Sequence, residues 1–167
     1  MSANTWQNIV QTAIRQPEQA AKIAVVGIGH ELRGDDAAGI EIVRALTGHA
    51  NRLVIEAGTA PENHSGALRR FLPDLVVMID AALMNLEPGA IRALDSSAAD
   101  GFGASTHTLP LGLLSQYLAA ELGCAVLLIG IQPADTTFGA PLSPPVERAC
   151  GEVSRALRSM LDGSLEA

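Results

Sequence analysis

Three separate segments hold side chains that could do chemistry. Two adjacent carboxylates, Asp35 and Asp36, lie in GIGHELRGDDAAG (27–39). Asp80 follows the apolar run Val76-Val77-Met78-Ile79, and His107 lies in STHTLPL (105–111). Two carboxylates and one imidazole from three loops make a hard-to-borderline donor set. Asp/Asp/His ligation of a metal ion leaves coordination positions open. A carboxylate that ends an apolar run must be hydrogen-bonded, paired or bound to a metal.

Each group also has a plainer use. One Asp of the pair fits a helix N-cap, where its charge favours the positive end of the dipole. A pair is more than a cap requires, and helical angles place both nearer the apolar side, so periodicity does not choose between them. Asp80 could cap the loop that follows it. A lone His in a loop is more often structural or surface than a ligand, and His49 and His64 are expected on the surface. Three scattered residues can be chosen from any sequence, so the pattern by itself is weak.

Several familiar chemistries are excluded by their motifs. Gly27 and Gly29 give G-x-G, but Leu32 stands at the third glycine of G-x-G-x-x-G. Asp35 and Asp36 would then repel a pyrophosphate from the helix N-terminus. His30-Glu31 is followed by Gly34, so H-E-x-x-H is absent, and so is G-x-S-x-G. Cys124 and Cys150 are far apart in apolar stretches with no CxxC, which indicates neither a disulfide framework nor a zinc ribbon.

The elements that must position these groups alternate. Runs 23–29, 75–81 and 125–131 are mostly β-branched or aliphatic, as in strands buried on both faces, and LVIEA (53–57) reads as a second strand. GAIRALD (89–95) alternates and predicts an edge strand. Helices are expected from Asp35 or Asp36 to about Leu46, over 67–72, over 109–122, and from Pro145 to Leu161. Residues 5–15 place Trp6, Ile9, Val10, Ala13 and Ile14 at helical spacing, and Pro17 ends that helix. The prediction is a single-domain three-layer α/β/α fold with a twisted, mostly parallel five-stranded sheet. Residues 1–20 form a helical extension and 21–167 the domain. Ligands of such sheets bind at the carboxyl ends of strands, near a topological switch point. Chemistry is therefore expected in the loops after residues 29, 57, 81, 95 and 131.

Composition bounds the partners. The chain has 167 residues, 48% hydrophobic and 17% charged, which fits one folded domain. Eleven Lys and Arg against eighteen Asp and Glu give a net charge of −7. An acidic chain without a basic run is a poor nucleic-acid binder, and 3% aromatics leave no base-stacking platform. No signal peptide and no spanning apolar run is visible. A soluble, cytoplasmic protein is expected, with a monomer as the default and no membrane partner.

GIGHELRGDDAAG, the EAGTAPEN loop, VVMIDA, STHTLPL and LLIGIQP resemble, in this order, segments of the [NiFe]-hydrogenase maturation endopeptidases. The resemblance runs from about residue 22 to about 160. APEN and GIQP look most like members serving formate-hydrogenlyase-type hydrogenases. It implies a single cut that removes a C-terminal extension from a [NiFe]-hydrogenase large-subunit precursor after nickel insertion. The implied nickel contacts, by motif position, are Asp36, Asp80 and His107, the nickel being carried by the substrate. Asp36 rather than Asp35 rests on that alignment alone. The family usually has Asn where His30 stands and Gly where Ala37 stands. His30 is expected to replace the loop hydrogen bonds of that Asn; an added nickel contact is the alternative.

On this resemblance the metal is a checkpoint: precursor without nickel lacks the anchoring contacts and binds weakly. Two routes to bond breaking stay open. Nickel could polarise the scissile carbonyl, or Asp36 could act as general base on a water. A non-catalytic module that binds a metal or a nickel protein on the same fold is the alternative function. A small-molecule binder is disfavoured by the acidic first loop.

Overall fold

The computed structural model describes residues 5–15, 21–95 and 111–163. Five strands form one sheet: β1 (Ile23–Ile28), β2 (Arg52–Gly58), β3 (Leu75–Ala81), β4 (Ile91–Asp95) and β5 (Ala125–Ile131). Their order is β2-β1-β3-β5-β4, parallel except for β4, which runs antiparallel to β5 at the edge. The mostly parallel sheet and the edge position of 89–95 are thus as expected. From β1 the chain goes to one side for β2 and to the other for β3. The switch point lies between β1 and β3, so the loops after these two strands line the crevice.

Among the described residues five α-helices flank the sheet: α1 (Thr5–Arg15), α2 (Ala38–Arg44), α3 (Ser65–Phe71), α4 (Leu111–Leu122) and α5 (Pro144–Leu161). Alternate residues of each strand feed the two faces. Val25, Val77, Ile79, Leu127 and Ile129 pack with α1, α2 and α5. Ala24, Val26, Val76, Met78 and Leu128 pack with α3 and α4. Both clusters are mostly aliphatic, and Trp6 is the one aromatic among their buried side chains. The helix read as an extension is packed into the first cluster: Trp6 and Val10 are buried, and α1 contacts β4, β5 and α5. No helix among the described residues is long and apolar enough to cross a membrane.

Two expected helices differ in detail. The one expected from Asp35 or Asp36 to Leu46 divides into a 3-10 turn (Gly34–Ala37) and α2, which ends at Arg44. At the start of the turn the Asp35 amide, which has no partner within the helix, donates outward to the Asp135 carbonyl at 2.8 Å. At the far end the amides of Ala45 and Leu46 reach back three residues, to Ile42 and Val43, which tightens the last turn. The loop GTAPENHSG holds a second 3-10 turn, Pro61–His64, which runs into α3 two residues earlier than expected.

Candidate functional site

The chain between β1 and α2 is built on close approach. Gly29 has φ +147°, and a Cβ there would run into the Asp36 carbonyl. A Cβ at Gly39 would strike the carbonyls of Ile79 and Ile28. Only glycine lets the first turn of α2 lie directly over the ends of β1 and β3. The glycines that mimic a phosphate loop in sequence therefore serve backbone packing.

This packing sets the turn that carries Asp36 against the strand that carries Asp80. Asp36 lies in the 3-10 turn, which contacts β3. Asp80 follows Ile79 on β3 and pairs in register with Gly130 of β5. Both are buried, Asp80 completely. The His30 amide donates to Asp36 Oδ2 at 3.1 Å, and also to the Asp36 carbonyl at 3.2 Å. His107 lies outside the described residues. Among the described residues no three His, Cys, Asp or Glu side chains are grouped as a metal needs.

Asp35 and Asp36 are adjacent yet differently used. The fully buried Asp35 accepts at Oδ1 from the Ser143 amide (2.7 Å). At Oδ2 it accepts from the amides of Ala134 (2.8 Å) and Asp135 (3.0 Å) and from the Ser143 hydroxyl (2.8 Å). Burial pushes its carboxyl up, but these hydrogen bonds together outweigh burial and hold it below the ordinary carboxylate value. Asp35 does not cap its own helix. It fastens the loop after β5.

Other polar groups complete the rim. Gln132 is buried beyond the end of β5. Its Oε1 accepts from the amides of Met84 (2.7 Å) and Leu86 (3.3 Å), which shapes the loop after β3. The one signal for it in sequence was a polar residue directly after an apolar strand. His30 Nδ1 accepts from the Leu32 amide at 3.2 Å, a loop hydrogen bond of the kind expected of this residue. A cleft of about 310 Å³ lies between the second 3-10 turn and α4, lined by Glu62, Ser65, Leu113, Leu114 and Tyr117. Burial, then nearby acidic groups, pushes the Cys150 thiol up to about 12, so it stays protonated at neutral pH. Thiolate chemistry therefore does not come from Cys150.

A family model described as hydrogenase maturation protease matches residues 40–159. A putative hydrogenase maturation protease of Methanocaldococcus jannaschii is 30% identical over 84% of this chain and 89% of its own length. The hydrogenase 3 maturation protease of Escherichia coli K12 is 35% identical over 78% of this chain and 85% of its own. The crystal structure of the [NiFe] hydrogenase maturation protease HycI from Thermococcus kodakarensis superposes with a TM-score of 0.82. That match has 28% identity and covers 92% of this chain and 99% of the other.

Proposed function

The chain belongs to the hydrogenase maturation protease family, and on that premise we propose how it selects and cuts its substrate. It removes the C-terminal extension of a [NiFe]-hydrogenase large-subunit precursor, and it does so after nickel has been inserted. The observation that carries this reading is the burial of Asp36 and Asp80 at the switch point, the crevice where ligands of such sheets bind.

Nickel here is part of the substrate. Carboxylates of Asp36 and Asp80, with the imidazole of His107, complete the coordination of an ion that arrives held by the precursor. Precursor lacking the ion loses these contacts and binds weakly. In this reading the coordination of that ion is what makes the site selective for the loaded precursor.

In the cutting step a water adds to the scissile carbonyl carbon and the C–N bond breaks. A carboxylate, Asp36 in this reading, takes the proton of the water, which passes to the leaving amine. No covalent intermediate with the protein forms.

The test is to mix the protein with nickel-loaded and nickel-free precursor and follow the mass of the large subunit. Loss of a C-terminal peptide from the loaded form alone is the expected result. Equal cutting of both forms overturns the nickel checkpoint. Binding of the loaded form without any cutting overturns the protease reading in favour of a non-catalytic module.

A further inference from the structure

The mechanism above uses Asp36 and leaves its neighbour aside. Yet Asp35 accepts four hydrogen bonds, and its partners come from one distant segment. They lie 99 to 108 residues further along the chain. The amides of Ala134 and Asp135 stand at the start of the loop between β5 and α5, and Ser143 stands at its end. One side chain thus closes both ends of that loop.

The Ser143 hydroxyl is informative. Ser143 occupies the N-cap of α5, where such a hydroxyl ordinarily serves its own helix. It makes no cap hydrogen bond and is given to Asp35 instead.

Further ties join the same two loops. The Asp35 amide returns a bond to the Asp135 carbonyl, and the Gly139 amide donates to the Leu32 carbonyl at 2.7 Å. Gly34 has φ +51°, and a Cβ there would meet the Asp135 carbonyl. The joined loops carry two exposed apolar side chains, Leu32 (53%) and Phe138 (64%). The Phe138 ring stands edge-on to the ring of His30, centroids 6.3 Å apart. The His30 amide holds the carboxylate of Asp36.

We propose that Asp35 is a positioning residue: it clamps the loop after β5 onto the loop after β1, and so sets the orientation of Asp36. It does not touch substrate. This inference rests on the protease reading above.

Asp35→Asn tests it, with Ser143→Ala as the milder variant that removes one of the four bonds to the carboxylate. Asn removes the negative charge that all four donors share and turns an NH2 group toward the Ser143 amide, so the clamp is weakened at every bond and broken at one. Two readouts are taken on the full chain. Amide hydrogen exchange of Asp35→Asn is expected to rise at least tenfold in 30–36 and in 134–143 together, with the strands still protected. At saturating nickel-loaded precursor, kcat is expected to fall at least tenfold while KM changes less than threefold. Ser143→Ala is expected to move both readouts the same way by a smaller factor, and it decides the matter if Asp35→Asn does not fold. A loop 30–36 that stays protected in the variant overturns the clamp. Unchanged kcat with faster exchange overturns the positioning role and leaves the protease reading intact. Absence of cutting by the unaltered protein overturns both.

Discussion

The two ends of α5 are both fastened by an acidic side chain, and they are fastened differently. At its start, Ser143 gives its amide and hydroxyl to the buried Asp35. At its end, Asp162, 48% exposed, accepts from the buried guanidinium of Arg52 at 2.8 Å. Arg52 also donates to the Thr47 carbonyl. The helix has 18 residues, roughly 27 Å at the usual rise, so it ties the carboxyl end of the sheet to the amino end. Arg52 opens β2 opposite Ile23, at the amino end.

The difference separates stability from chemistry. At the amino end a charge meets an opposite charge, and little field is left for a ligand. At the carboxyl end a negative charge is held by neutral amide and hydroxyl dipoles. Among the described residues no Lys, Arg or His is ion-paired with Asp35 or Asp36. Asp35 therefore keeps its charge without a cationic partner among the described residues, whereas the charge of Asp162 is paired with that of Arg52.

The sharpest way to break this comparison is to remove the chemistry without the fold. Asp36→Ala and His107→Ala are each expected to lower processing of nickel-loaded precursor by on the order of 100-fold or more. Circular dichroism and melting should stay near those of the unaltered protein. Full activity in either variant would count against the site.

Next in size is the clamp itself. Asp35→Ala strips four donors of a charged acceptor, and a loss of about 3 kcal/mol in urea unfolding is expected. A loss no larger than that of a surface substitution would place Asp35 and Asp162 in the same class. Asp162→Asn, at the other end, is expected to cost about 1 kcal/mol, because that carboxylate is half exposed.

The smallest effect is on pH dependence. The Asp35 carboxyl titrates below its unfolded value, so its contribution is fully present above that value, near ~3.9. It is lost as pH falls through the lower folded value. The unfolding midpoint in urea should therefore fall less between neutral and strongly acid pH in Asp35→Asn than in the unaltered protein. An equal fall in both would contradict the depressed value.

Much of this architecture was legible in the chain. The runs 75–81 and 125–131 bound β3 and β5 to the residue, because each is short, mostly aliphatic and bounded nearby by polar, Gly or Pro residues. Asp80 announced itself as a charge ending such a run. Asp35 and Asp36 could not be told apart, because what distinguishes them lies about a hundred residues away. No local period carries the amides of Ala134, Asp135 and Ser143. The glycines of the first loop were visible, but their reason is the carbonyls of Ile28, Ile79 and Asp36, which only the fold brings near. The amphipathic face of α1 was equally plain, while its target, β4 with α5, was not.

The strand order has a consequence for the chain as it is made. β5 lies between β3 and β4, although it is synthesised after both, and among the described residues β4 pairs with β5 alone. A growing chain thus carries β4 as a strand without a place until β5 emerges and slots between. The residues that fasten Asp35 follow β5 and emerge later still. Non-local pairings of this kind form late, after the cost of closing long loops has been met. The sheet is therefore complete only after β5 has been made, and the loop that holds Asp36 is fastened only once the start of α5 follows it.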